Sequence, residues 1–422
     1  MHPEFDLPSR RNRWKLNLDN YRSKLARFNG NARLYLLRTI LLGVSFGIYQ
    51  LLFNFYAISL GYDEATLGRL LSISSLTSML TALPAGILCD RLGRKKSLIL
   101  STLGYTVGIG FMAFFPSAAV FYSMQILIGA TQSLSGVSTG PFLMENSSEE
   151  ERSYLFAFSA GLQTMSGFVG NWIGGRLPAW LGATFFVAAT SPRAYGWTLL
   201  FVTGGTLISL IPLVLLKPVK EQSQRSLSPI EYARQQPRLL VRLIAPMMIT
   251  SLGAGLLMPF INIFFRTVHH QSDAMIGSLF AWGSLAMGIG LLIAPPLADR
   301  IGKIRLVVIT QALSIPFLAL LGFAPWFGLS AAGYFFRLAL MNMAIPMYDA
   351  FVMEHVEPSA RATVASLVSM SWTLGWAFSP SISGWIQLNY GFRPLFLGTI
   401  ICYAVAIFCY WHFFGRATAR TA

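Results

Sequence analysis

Two ionisable side chains, Arg337 and Asp349, lie within one apolar stretch of the sequence. A charged residue at the centre of a membrane helix costs about 2.5–3.5 kcal/mol on insertion scales, so such residues mark functional sites or pair with a partner. Asp349 is the only one of the 17 acidic residues that falls inside an apolar stretch. Because an unpaired carboxyl group in hydrocarbon takes up a proton near neutral pH, Asp349 is the candidate for proton coupling. The alternative is a static partner of a cation or hydroxyl group.

Arg337 lies twelve residues before Asp349, near the outer third of the same predicted helix. A guanidinium group can form two parallel hydrogen bonds to a carboxylate or a phosphate. Arg337 is therefore a candidate anion-binding group. The alternatives are that it snorkels to the helix end or pairs with groups near Tyr334.

Amide and indole side chains also occur inside the apolar stretches, and Asn54 and Asn262 occupy equivalent places 208 residues apart. Polar groups at such positions line a solute path or form hydrogen bonds between helices, and the second role is the alternative for each residue. The predicted path residues are Gln50, Asn54, Asn262, Arg337, Asn342, Trp372 and Trp376.

A basic turn occurs twice, as GILCDRLGRKKS at 86–97 and as PPLADRIGKIRL at 295–306. Gly86 has no side chain and would let two helices approach closely, while Asp90 can accept hydrogen bonds from a helix N-terminus or pair with Arg94. Such a turn would form a latch that closes one mouth of a path between two helix bundles. The alternative is that its basic residues only fix the topology. The latch residues are Gly86, Asp90, Arg91, Gly93 and Arg94 in the first turn and Asp299, Arg300 and Gly302 in the second.

The composition shows which elements must position these residues. The chain is 54% hydrophobic and 12% charged, with a mean hydropathy of +0.56, which is outside the range of soluble domains. A net charge of +15 would indicate nucleic acid as partner of a soluble chain, but here the basic residues lie between apolar stretches. The partners predicted are therefore the lipid bilayer and a small-molecule solute, with no nucleic acid.

The fold prediction is an all-α integral membrane protein with twelve transmembrane helices. About 20 apolar residues are needed to cross about 30 Å of hydrocarbon as a helix. The predicted spans are 34–60, 66–89, 97–115, 120–144, 154–175, 197–216, 243–267, 275–298, 306–324, 330–353, 363–387 and 392–414.

The placement of the 32 Lys and Arg residues predicts the orientation, because basic residues in short loops stay on the cytoplasmic side. If both termini are cytoplasmic, the great majority fall in cytoplasmic segments. The exceptions are Arg176, Arg193, Arg266 and Arg393 in outer loops and Arg38, Arg69 and Arg337 within spans. We therefore expect a multi-pass protein of the plasma (inner) membrane with cytoplasmic N- and C-termini.

The two halves of the chain repeat each other at an offset of 208 or 209 residues, which predicts two pseudo-symmetric six-helix bundles. Bundles related by an axis along the membrane normal place a solute path at their seam. Because one chain contains both halves of such a path, a monomer is expected. The predicted segments are an N-terminal tail (1–33), a first bundle (34–216), a cytoplasmic linker (217–242), a second bundle (243–414) and a C-terminal tail (415–422).

The first turn resembles the signature loop between helices 2 and 3 of the major facilitator superfamily, and it is complete from Gly86 to Lys95. Its twin departs from that pattern at Pro295 and Ile304. The resemblance implies a secondary transporter whose latch engages in the outward-open state, with Asp90 facing helix 11. It extends to the acidic and basic residues that the superfamily carries after helices 4 and 10, and these are predicted to belong to the latch as well. Here they are Glu145 and Arg152, and Glu354 and Arg361.

The fifth predicted helix bears on the direction of transport. Drug/proton antiporters of the superfamily carry a Gly-Pro-x-x-Gly-Gly run there, and this chain has Gly170, Gly174 and Gly175 but Asn171 in place of the proline. The glycines are expected to pack closely against the other bundle, and packing alone is the alternative to a role in antiport.

These observations predict a secondary active transporter that exports amphipathic or hydrophobic compounds by alternating access, coupled to a proton gradient. One alternative is an organic-anion symporter or uniporter of the same fold, and another is a non-transporting membrane receptor or scaffold. The sequence carries no HExxH or P-loop motif, and neither an enzyme nor a cofactor or metal site is predicted.

Overall fold

The computed structural model describes residues 28–217, 236–357 and 361–415, and every regular element within these ranges is a helix. In the first half the helices are α1 (Gly30–Ser59), α2 (Glu64–Leu80), α3 (Ala82–Leu92), α4 (Arg94–Phe114), α5 (Ala118–Glu145), α6 (Glu149–Thr184), α7 (Pro192–Ile208) and α8 (Leu210–Val214). In the second half they are α9 (Pro237–Leu257), a 3₁₀ turn (Met258–Phe260), α10 (Ile261–Thr267), α11 (Asp273–Ile301), α12 (Lys303–Phe323), α13 (Phe327–His355), α14 (Arg361–Tyr390), α15 (Arg393–Tyr410) and a π turn (Trp411–Gly415).

The described helices fit the predicted fold class. Eight helical segments, or nine with the bent pair α2 and α3, are long and apolar enough to cross a membrane. Three further long helices, α5, α6 and α14, lie where the fourth, fifth and eleventh spans were predicted, which fits a count of twelve. The pair α2 and α3 bends by 55° because Pro84 lacks the N–H group that would continue the hydrogen-bond ladder.

Polar residues mark where several spans begin. The side chains of Asn29, Asp63 and Ser272 each accept a hydrogen bond from a backbone N–H in the first turn of α1, α2 and α11. At Asp63, hydrogen bonds from the side chain and the backbone N–H of Thr66 lower the pKa of the carboxyl group below its ordinary value. Local sequence signals therefore fix these helix ends.

The predicted boundaries that differ most from the structure are the end of α6 and the start of α9. Helix α6 continues to Thr184 and not to 175. Arg176 remains in the helix because its guanidinium group lies 4.2 Å from the ring centre of Trp172 and donates a hydrogen bond to the Trp172 carbonyl. Helix α9 begins at Pro237 and not at 243, since proline suits the first helical turn. Most of the predicted linker and both predicted tails lie outside the described residues.

Glycine contacts follow the internal repeat. A Cβ atom on Gly68 of α2 would meet Pro380 and Gly384 of α14, and one on Gly277 of α11 would meet Asn171 and Gly175 of α6. The partners of each glycine are themselves 209 residues apart, so the two contacts are equivalent. This geometry pairs the halves about a pseudo-twofold axis, with α2 against α14 and α11 against α6.

The apolar core is joined at one side of the molecule and divided at the other. We call the side that carries residues 28, 217 and 236 the basic side, and the other the opposite side. Near the opposite side one cluster contains residues of both halves, among them Phe55 and Phe264. Near the basic side one cluster belongs to the first half and a separate one to the second. The halves therefore part toward the basic side.

Candidate functional site: a central cavity between the halves

A cavity of about 620 Å³ lies between the two halves and is lined by residues of both. Its volume is in the range of small-molecule sites. All seven residues predicted for the solute path line it, namely Gln50, Asn54, Asn262, Arg337, Asn342, Trp372 and Trp376.

The cavity wall is rich in aromatic and amide groups and poor in charge. Among the described residues that line it, Arg337 is the only charged one. Several further wall residues were not predicted from the sequence. Each is a polar or aromatic residue inside an apolar span, and that criterion could have selected them. These residues are Gln125, Asn171, Gln311, Tyr334, Tyr403 and Tyr410.

Asn54 and Asn262 close the cavity toward the opposite side with reciprocal hydrogen bonds. The Asn54 amide nitrogen donates to the Asn262 Oδ1 at 2.9 Å and to the Pro259 carbonyl at 2.6 Å. The Asn262 amide nitrogen donates to the Leu51 carbonyl at 2.8 Å. Leu51 and Pro259 are 208 residues apart, as are the two asparagines, so the pair lies on the pseudo-twofold axis. These bonds therefore tie the first half to the second across the cavity.

Arg337 is buried at the cavity wall, with 2% of its surface exposed. One terminal nitrogen donates to the Tyr403 hydroxyl at 2.7 Å and the other to the Met258 sulfur at 3.0 Å, while Nε has no partner in the part of the chain that the structure describes. The prediction that it could snorkel to the helix end is wrong. Among the described residues no carboxylate forms an ion pair with it. Arg38, another arginine within a predicted span, is likewise buried, beside Tyr35 and Thr102.

Asp349 is exposed and lies outside the cavity wall proper. It follows Ile345 by one helical turn on the face of α13 that lines the cavity, toward the basic side. Within the described part of the chain it forms no hydrogen bond or ion pair, so the static-partner alternative finds no partner there. Asp349 therefore lies at the mouth of the cavity.

The latch residues form ion pairs within their own halves. Arg94 bonds to Asp90 at 2.7 Å and lies 3.5 Å from Glu145, and Lys303 pairs with Glu354. The Asp90 side chain is 70% exposed, and a Cβ on Gly86 would meet nothing within 4 Å. Neither Asp90 nor Gly86 contacts α14, so this structure lacks the engaged contact expected for the outward-open state.

The remaining latch residues have diverse surroundings. Gly93 and Gly302 adopt positive φ angles of 85° and 88° at the ends of α3 and α11, which explains why both turns need glycine. Asp299 and Arg300, like Arg91, are exposed. Arg152 has a buried Nε without a partner, and the side chain of Arg361 lies outside the described part of the structure.

The glycines of the fifth predicted span divide between two neighbours. Cβ atoms on Gly170 and Gly174 would meet α1 of the same half, near Gly47 and Ile48. Only Gly175 packs against the other half, on α11. The expectation that all three pack across the seam is therefore wrong for two of them, because α6 turns one face to α1 and another to α11.

A polar cluster that sequence reasoning missed joins the halves at the opposite side. The Tyr195 hydroxyl of α7 donates to Asp273 at 2.5 Å and accepts from Arg266 at 2.7 Å. Arg266 also lies 3.4 Å from Asp273 and 4.3 Å from the ring centre of Phe55. Its members lie on three helices, α7, α10 and α11, and no local sequence pattern brings them together.

A duplicated helical body with a solute-sized cavity on its pseudo-twofold axis defines the class of secondary transporters that work by alternating access. The chain belongs to the Major Facilitator Superfamily, whose sequence model matches residues 35–251 and 243–421. It is a multi-pass membrane transporter of that superfamily and not an enzyme.

Individual relatives are distant but match along most of the chain. The chain is 23% identical over 398 residues to Multidrug resistance protein MdtG of Dickeya zeae (strain Ech586), covering 90% of this chain and 93% of that protein. It is 22% identical over 349 residues to Multi-drug resistance efflux pump PmrA of Streptococcus pneumoniae serotype 4 (strain ATCC BAA-334 / TIGR4), covering 80% and 83%.

A solved structure of a bacterial homologue of the human lysosomal transporter Spinster, in an inward-facing and unoccupied conformation, matches with a TM-score of 0.76. It is 14% identical, and the match covers 91% of this chain and 96% of that chain. At this identity the likeness shows the fold alone.

Proposed function

We propose that this transporter exports amphipathic organic compounds from the cytoplasm in exchange for protons. The observation that carries the proposal is the aromatic and amide cavity, which lies where the two halves part toward the basic side. The positive-inside rule assigns that side to the cytoplasm. The names of MdtG and PmrA, which refer to multidrug resistance and efflux, support the same direction.

The chemistry of the wall supports compounds with a flat apolar body and a few polar groups. Phe280 and Tyr334 stack at a centroid distance of 5.6 Å and interplanar angle of 16°, which presents aromatic surface to a solute. Gln50, Asn342 and Gln311 supply amide donors and acceptors nearby. Amides bond to many different solutes, so such a wall suits a broad substrate range.

Transport by alternating access requires the contacts at the opposite side to break and contacts at the basic side to form. The Asn54–Asn262 pair and the Tyr195 cluster would open, and Gly86 and Asp90 would move against α14. The proposed coupling group is Asp349, because it lies at the mouth of the cavity, lacks a partner among the described residues and can exchange protons with water there. We further propose a monomer in the inner membrane, with both termini cytoplasmic, that binds no nucleic acid.

Reconstituted vesicles test this proposal. With Asp349→Asn we expect transport driven by a pH gradient to be abolished while solute counterflow without a gradient remains, since only the proton-carrying step is lost. Glu357→Gln, an exposed acid near the same end of α13, is the matched control and should leave both activities unchanged. Gradient-driven transport that survives Asp349→Asn would remove this residue from the coupling mechanism, and vesicles that move no amphipathic compound would overturn the proposed function.

A further inference from the structure

We propose that Arg337 is the binding site for an acidic group on the transported compound, so that the preferred substrates are amphipathic organic anions such as aromatic carboxylates or sulfonates. The inference rests on the proposed function and specifies the substrate class of the same cavity. It follows from the charge balance of the wall, the unused donors of Arg337 and the nature of its present partners.

Among the described residues of the cavity wall, no negative charge balances the positive charge of Arg337. Arg337 is 2% exposed and is the only charged residue among the described residues that line the cavity. An ionised group removed from water is stabilised only by an opposite charge and by hydrogen bonds to its remaining donors. Within the described ranges no carboxylate supplies that charge, so the surroundings of Arg337 favour an anion over a cation.

Arg337 also has N–H donors that its two hydrogen bonds do not use. A guanidinium group has five N–H donors, and here two hydrogen bonds go to a neutral hydroxyl on Tyr403 and to the sulfur of Met258. A thioether sulfur is a weak acceptor, so a carboxylate oxygen arriving from the cavity would replace it with a stronger, charge-assisted bond. Met258 begins the 3₁₀ turn between α9 and α10, where the helical ladder is already interrupted.

A second donor near the cavity also lacks an acceptor. The indole nitrogen of Trp376 is buried and has no partner among the residues described, and Trp376 belongs to the same wall. Indole nitrogen donates but cannot accept. Unsatisfied donors without matching acceptors favour a ligand rich in oxygen acceptors, while the stacked rings of Phe280 and Tyr334 accommodate its apolar part.

Arg38 provides the matched control for a buried arginine. It is 5% exposed, pairs with no carboxylate among the described residues, and bonds to Thr102 at 3.3 Å. It lies in the first half and does not line the cavity. If burial alone determined the behaviour of an arginine variant, both residues would respond alike.

The test compares three probes with one apolar body on the purified full-length protein in a neutral detergent: 2-naphthoate, neutral 2-naphthamide and cationic 2-naphthylmethylammonium. We expect the native protein to bind the acid at least about tenfold more tightly than the amide, and the ammonium most weakly. Arg337→Gln should abolish the preference for the acid. Arg337→Lys should retain only part of it, because an ammonium group cannot form the two parallel hydrogen bonds that a guanidinium group forms with a carboxylate. Arg38→Gln should keep the full preference.

Equal affinity of the native protein for acid and amide, or failure to bind the acid at all, overturns the inference without requiring any variant to fold. A preference for the acid that survives Arg337→Gln overturns the assignment to Arg337. Vesicle transport of the same probes separates this inference from the proposed function. Export of the neutral amide without a preference for the acid refutes only the anion site, whereas export of none of the probes refutes the proposed export.

Discussion

The opposite side and the basic side of this transporter are built from the same repeated elements, yet they make contrasting contacts. At the opposite side one apolar core joins the halves, and at the basic side two cores remain separate. Hydrogen bonds from Asn54, Tyr195 and Arg176 cross the seam at the opposite side. The described ion pairs of the latch at the basic side stay within one half.

Under the proposed alternating-access mechanism, the two sides carry different kinds of contact for different states. The contacts that cross the seam at the opposite side include close backbone approaches at glycines and hydrogen bonds from asparagine side chains on the axis. We propose that the latch binds in the other state. Breaking the first set should therefore change the stability of the structure described, while breaking the latch should change the transport rate.

The largest effect is expected from Gly277→Leu. A Cβ at Gly277 would lie 2.7 Å from the Cα of Gly175, so α6 and α11 must separate at the opposite side. Overpacking of this kind costs about 3 kcal/mol, and we expect a lower unfolding midpoint together with a shift toward the state open at the opposite side. Spin-label distances between α6 and α11 would measure the shift. Gly288→Leu on the same helix has open space around its Cβ and should change neither quantity.

A smaller effect is expected from the amide pair on the axis. Asn54→Ala and Asn262→Ala should each destabilise the described state by about 1–2 kcal/mol, because each removes a bond across the seam and leaves the other amide partly unpaired. Since the bonds are reciprocal, the two variants should have similar effects, and the double variant should cost less than their sum. Thermal unfolding of all three proteins measures this coupling, and additive effects would show that the two residues act independently.

The smallest effect on stability is expected from Asp90→Asn. Its carboxylate is 70% exposed and pairs with Arg94 at the start of α4, and an exposed pair of this kind contributes about 0.2–1 kcal/mol. The unfolding midpoint should therefore hardly move, while the transport rate should fall because the latch in the other state loses its acceptor. If transport and stability are both unchanged, Asp90 serves topology alone.

Much of the site could be predicted because polar groups are costly inside a membrane. Asn54, Trp372 and Arg337 were selected only because they interrupt apolar stretches, and the structure brings all three to one cavity. The same reasoning could not find the cluster of Tyr195, Arg266 and Asp273, because these residues lie at span ends where charge is inexpensive. It also assigned Gly170 to the wrong neighbour, since spacing along one helix does not say which helix faces it.

The sequence by itself determined the all-helical membrane fold and its internal repeat, because bilayer thickness sets span length and backbone groups in lipid must be satisfied within each helix. Only the tertiary structure decided that the halves meet at the opposite side and part at the basic side. It also decided that Arg337 has no carboxylate beside it among the described residues. The first depends on how the two halves dock and the second on how the helices of the second half pack around Arg337. Both are set by contacts between residues far apart in sequence, which local patterns do not record.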